Sequence, residues 1–113
     1  MNIFNKRKSL KVKVNNIDNE IKQLIQKILD EKFNVLHYGA YDINPKFLVF
    51  WICVDTDATK EKLAKDDALN KQLKDILFNN DYPLEAISDV YIGFESQETV
   101  NRDSDGDWYL HFK

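Results

Sequence analysis

Three groups of residues in this 113-residue chain have side-chain types and spacings that could do chemistry. The first is Val54-Asp55-Thr56-Asp57-Ala58-Thr59, where two carboxylates and two hydroxyls follow directly on an apolar run. The second is Asn101-Arg102-Asp103-Ser104-Asp105-Gly106-Asp107, which sets oxygen-bearing side chains at alternate positions with a glycine in sixth place. That is the spacing with which a loop wraps a hard cation such as calcium. The third is Cys53 with His37 and His111, a thiol and two imidazoles suited to a thiol site or to metal ligation if the fold joins them.

The first run resembles the opening motif of haloacid-dehalogenase-type phosphatases. That resemblance implies Asp55 as nucleophile, Asp57 as acid/base and Mg²⁺ as cofactor. It covers about ten residues, and the 58 residues after Asp55 are too few for the parallel sheet and later motifs that hold metal and phosphate. A strand end followed by a helix cap explains the same letters, so no catalytic residue and no cofactor is expected. The second run matches positions 1, 3, 5 and 6 of an EF-hand-type calcium loop, but position 12 is Phe112 where a bidentate Glu is required. It reads instead as an acidic, solvated hairpin turn with no metal. The spacing of Cys53, His37 and His111 signals neither catalysis nor ligation, and a buried thiol with two satisfied histidines is expected.

The element that must position everything else is Phe47-Leu48-Val49-Phe50-Trp51-Ile52-Cys53-Val54, the longest unbroken apolar run. It is too short for a buried helix, it is bounded by Asn44-Pro45 and Asp55-Thr56-Asp57, and it reads as a strand. Because both parities are apolar, it is an interior strand covered on both faces. Before it, Ser9-Leu10-Lys11-Val12-Lys13-Val14 alternates like a half-buried strand. A helix capped by Asn15 or Asn16 follows, with Ile17, Ile21, Leu24, Ile25, Ile28 and Leu29 on one stripe, and Val35 to Tyr41 forms the next strand. After the central strand, a helix capped by Asp57 is interrupted where Leu63 falls out of phase with Leu69, Leu73, Ile76 and Leu77. A kink or two short helices is expected there, with Asp66 or Asp67 as a second cap. Val90 to Glu95 and Trp108 to Phe112 both alternate as strands, the second entered through a hairpin turn at Asp105-Gly106.

These elements predict a single α+β domain over residues 1–113. The expected form is a two-layer sandwich with an antiparallel sheet and two main helices on one face, in ferredoxin-like βαββαβ order plus a C-terminal strand. A layout in which residues 1–14 are a peripheral arm is the alternative. In the first arrangement the first and fourth strands are neighbours, and Lys11 and Lys13 would share the open sheet face with Glu95. The second face of the central strand is then covered either by the curled C-terminal strand or, as favoured here, by a second copy or a partner.

Composition narrows the function classes. The charge is uneven, with Lys6, Arg7, Lys8, Lys11 and Lys13 free of acids at one end and an acidic excess from Asp81 to Lys113. An RNA-recognition-motif reading fails because Leu10 to Val14 offers lysines where a stacking ring belongs, and a net charge of −3 works against phosphate, so no nucleic acid is expected. With no run long enough for a span and no signal-peptide core, no membrane is expected, and a lone cysteine suits a reducing cytoplasm. Abundant Lys, Asn and Ile with only Arg7 and Arg102 as arginines fits AT-rich codons and a microbial source.

What remains is ring surface: Tyr38, Tyr41, Trp51, Tyr91, Trp108 and Tyr109 exceed what one small core absorbs. The expectation is a non-enzymatic protein–protein interaction domain, with Trp51, Tyr91, Glu95, Glu98, Trp108 and Tyr109 as partner-binding residues. A small inhibitor or immunity-type protein that masks a basic partner is its concrete form, and a homodimer is the other form of association. The alternative is a small enzyme or ligand-binding domain with a pocket under the kinked second helix.

Overall fold

The computed structural model describes residues 9–113 as an α+β fold with a three-stranded mixed sheet and several helices. Strand β2 (Val49–Val54) lies in the middle, antiparallel to β1 (Phe33–Tyr38) and parallel to β3 (Tyr91–Ser96). Gly39, at φ 111°, turns the chain out of β1, and a Cβ there would come 2.0 Å from the Phe47 carbonyl oxygen, so only glycine fits. Asn44 then caps the short turn Pro45–Phe47 and feeds β2. The parallel β2–β3 pair needs a crossover. Helices α2 (Asp57–Ala64) and α3 (Asp67–Asn79), with the turn Leu84–Asp89, supply it.

Helix α1 (Leu10–Ile28) replaces the expected N-terminal strand. Six residues of alternation are too few to distinguish the periods. Leu10, Val14, Ile17, Ile21 and Ile25 continue one helical stripe, and the Ser9 hydroxyl accepts the Val12 N–H, making Ser9 the cap in place of Asn15 or Asn16. Lys11 and Lys13 therefore lie on a helix and not beside Glu95. Lys13 instead donates to the Asp81 carbonyl beyond the end of α3. Residues 1–8 of the basic segment lie outside the described residues.

Val14, Ile17, Ile21 and Ile25 are fully buried and join Leu69, Leu73 and Leu77 of α3 in one core with Phe50, Ile52 and Val54 of β2. The even-numbered parity of the central strand thus meets the helices. Burying each of these large side chains contributes about 1.5–3 kcal/mol. The expected interruption of the second helix is present: Asp66 caps α3 by accepting the Leu69 N–H, and the change of direction lets Leu63 and Leu69 both point inward. The cap of α2 is Thr56 and not Asp57, with the Thr59 N–H on its hydroxyl.

Two further expectations are corrected at the C-terminus. Residues 96–107 are not an extended hairpin: Gln97–Ser104 is helix α4, capped by Ser96, and Asp105 and Gly106 turn it with positive φ. Trp108–His111 is not a strand but the single-turn helix α5, capped by Asp107. Alternation there coincides with an i, i+4 pair, Trp108 and Phe112, whose rings approach to 5.8 Å. The ferredoxin-like order with an added strand and a purely antiparallel sheet consequently do not describe this chain. Among the described residues no helix is long and apolar enough to cross a membrane.

Replacing Ile25 by Asp places an unpaired carboxylate where α1 meets the sheet, and should cost at least about 3 kcal/mol in chemical denaturation. A variant as stable as the native chain would refute the packing of α1 on this core.

Candidate functional site

The face of the sheet turned away from α1 and α3 carries Leu36 and Tyr38 of β1, Val49, Trp51 and Cys53 of β2, and Tyr91, Gly93 and Glu95 of β3, which are in register across the strands. Toward one end it is aromatic. The Trp51 indole N–H donates to the Tyr38 hydroxyl at 2.9 Å, the Phe112 ring stacks on Trp51 at 4.8 Å, and Tyr91 lies tilted at 5.1 Å. Gly93 makes room for this: a Cβ there would sit 2.4 Å from the Tyr91 ring and 2.8 Å from that of Trp51. The chain's own C-terminal segment therefore covers Trp51, as a helix and the residue following it.

Toward the other end the same face is polar, with Glu95 at its centre and only 9% exposed. One carboxylate oxygen accepts from Lys60 Nζ of α2 and from the Ser96 N–H, both at 2.9 Å. The other lies 2.8 Å from His111 Nε2. Burial pushes the Glu95 carboxyl up, but the hydrogen bonds from His111, Lys60 and the Ser96 N–H outweigh it, and the group is held below the ordinary carboxylate range. Cys53, its cross-strand neighbour, is buried, and that burial, reinforced by the Glu95 charge, pushes the thiol up to about 12. It is a proton-bearing core side chain and not a nucleophile.

A second carboxylate ties α2 to α4. Asp57 accepts from Ser96 Oγ, from Thr99 Oγ1 at 2.6 Å and from Arg102 Nη1 at 3.0 Å, and is held well below the usual carboxylate range by the two hydroxyls and then by the guanidinium. Glu98 accepts the Asp57 N–H at 2.7 Å, while Asp55 is exposed. The carboxylates of the phosphatase-like run thus serve as a strand end and an inter-helix tie. Asn101 and Asp103 lie on α4, so the calcium-like spacing is not a loop. Among the described residues no cluster of three His, Cys, Asp or Glu side chains is placed to hold a metal ion.

Ser104, His111 and Glu95 form a chain of the kind that activates a serine. With Glu95 ionised, His111 Nε2–H donates to it and Nδ1 is left to accept the Ser104 hydroxyl at 3.0 Å. Acyl transfer would also need N–H groups free to hold an oxyanion. The N–H groups of Asp105 and Gly106 are bonded to the Val100 carbonyl and that of Asp107 to the Ser104 carbonyl. The chain is better described as a lock that fastens α5 to the sheet. The other histidine is also satisfied, with His37 Nδ1 2.7 Å from Asp18.

Of the six expected binding residues, Trp51 and Glu95 are built into these two clusters and Glu98 partly into the second. Tyr91 and Tyr109 remain open, at 52% and 78% exposure, and Trp108 is half-buried with its indole N–H on the Gln97 side chain. Beside them lies a largely apolar groove of about 430 Å³ lined by Leu36, Tyr38, Trp108, Tyr109, Phe112 and Lys113. Sequence reasoning did not select Leu36 or Phe112, although the Trp108–Phe112 spacing carried the signal. His111 was expected to be a satisfied histidine, but neither it nor Lys60 could be assigned to Glu95, which they reach only through the fold. At the α2–α3 break Leu63 and Leu69 are buried, and α3 borders a second groove, of about 560 Å³, with Lys74, Phe78, Leu84 and Ile87 in its wall. No protein-family model, curated protein or solved structure matches this chain.

Because Glu95 and Asp57 are both held below their ordinary values, the unfolded chain takes up protons before the folded one does as the pH drops. Their contribution to stability is present above about pH 5 and is lost as pH falls through the folded-state values. Glu95→Gln keeps the shape and removes the charge. It should cost about 1–3 kcal/mol at pH 7 and flatten the acid side of the stability profile measured by urea denaturation. An acid slope unchanged in the variant would contradict the role given to Glu95.

Proposed function

We propose that this protein is a non-enzymatic interaction domain that binds and masks a basic protein partner, in the manner of a small inhibitor or immunity-type protein of a microbial cytoplasm. The observation that carries the reading is the largely apolar groove at Leu36, Tyr38, Trp108, Tyr109 and Phe112, with Lys113 at its edge, which adjoins the helix-and-turn segment bearing the exposed Asp103, Asp105 and Asp107. Rings with a polar edge in the centre and polar groups at the rim are the arrangement that protein interfaces favour. An acidic rim speeds encounter with a basic surface and adds specificity more than affinity. The Lys, Asn and Ile bias and the single free thiol support the source and compartment.

Immobilised protein should retain a basic protein from extracts of the source cell, and retention should fall as salt rises. Tyr109→Ala and Asp103→Asn/Asp105→Asn, which alter exposed side chains, should each weaken that retention at least about tenfold. Retention that ignores all three substitutions would overturn the reading.

A further inference from the structure

We infer that the outer edge of β1 pairs with the β1 edge of a second copy of this chain, antiparallel and about a two-fold axis perpendicular to the sheet, so that two three-stranded sheets become one of six. Strand β1 is an edge strand, bonded through its backbone only to β2. Among the described residues no other hydrogen bond reaches the backbone of residues 33–38, so none of them partners its outward N–H and C=O groups. Natural sheets protect such an edge with lysine, proline, a bulge or a covering element. Phe33-Asn34-Val35-Leu36-His37-Tyr38 has no lysine, acid or proline, and its six residues pair with β2 without a bulge. The opposite edge differs: α2 packs against β3, and Lys60 from that helix holds Glu95.

The same composition selects a second copy as the occupant. In an antiparallel pair about a perpendicular two-fold, residues of one face meet residues of that face, and centring the six residues puts Val35 or Leu36 on the axis. With Leu36 on the axis, Asn34 faces Tyr38 and Leu36 faces itself on the groove face; with Val35 there, Asn34 faces Leu36 and Tyr38 faces Lys32. On the other face the one titratable residue, His37, already has its ring against Asp18 of α1, so self-pairing opposes no like charges. A partner rich in lysine would find no counter-charge on β1 itself. The groove opens beside this edge with Leu36 and Tyr38 in its wall, so a second copy's Leu36 and Tyr38 would extend the apolar surface already there. Both acidic segments would lie on one side of the six-stranded sheet, making the proposed partner-binding face bivalent.

Sedimentation of the purified chain from low micromolar to about 1 mM should show a monomer–dimer equilibrium. Hydrogen–deuterium exchange resolved by residue should show the outward amides of residues 33–38 slowing at least about tenfold on the dimer side while β3 amides are unchanged. Asn34→Lys, at an exposed position, should abolish both effects while keeping the native circular dichroism. A monomer throughout would overturn the inference. So would a dimer that survives Asn34→Lys with β1 amides still exchanging fast, or a monomer whose β1 amides are protected only by a foreign extended segment. The proposed masking of a basic partner is read separately, from salt-dependent retention on the Tyr109 and Asp103/Asp105 variants, and stands or falls without the dimer.

Discussion

Strand β2 has to be covered on both faces, and most of the fold is a response to that requirement. Phe50, Ile52 and Val54 are sealed by α1 and α3 with almost no exposure. Trp51 and Cys53 on the reverse face cannot use those helices. The chain covers them with a short C-terminal helix and the ring after it, a smaller and less complete seal. Phe112 stacks on Trp51, Tyr91 flanks it, and Gly93 gives up its side chain so that the rings fit. One face is thus a closed core and the other an unfinished one, and the unfinished one carries the groove.

A one-turn helix has little intrinsic stability, since nucleation costs more than a single turn returns. Polar ties hold it in place. Glu95 anchors His111 from below, Ser104 completes the ring's hydrogen bonding, and Asp57 fastens α4 to α2 through Ser96, Thr99 and Arg102. Each buried or half-buried charge has a partner, which is the condition for placing charge there at modest cost. Residues that look catalytic by type are used to attach the C-terminal segment, and the proposed recognition surface is what that attachment leaves exposed.

The central strand, the long amphipathic helix, the break at Asp66 and the α+β class were all legible, because each rests on a local pattern several residues long. Two of the errors in secondary structure share a cause. Ser9-Leu10-Lys11-Val12-Lys13-Val14 and Trp108-Tyr109-Leu110-His111-Phe112 alternate over only six and five residues, and at that length a helical stripe and a strand face contain many of the same positions. Ser9 and Asp107, each a cap with its hydrogen bond in place, decided for helix in both cases. Tyr91, Trp108 and Tyr109 could be recognised as surface candidates by their chemistry. The pairing of Glu95 with Lys60 and His111 could not, because they lie 35 and 16 residues away and nothing local links them to it.

The chain covers the second face of its own sheet through the stacking of Phe112 on Trp51. Two-dimensional NOE spectroscopy of the dilute protein tests this directly. Cross-peaks are expected between the Phe112 ring protons and the Trp51 indole, together with contacts from the indole to Tyr38 and Tyr91. An indole without contacts to Phe112, its N–H exchanging freely with solvent, would contradict it.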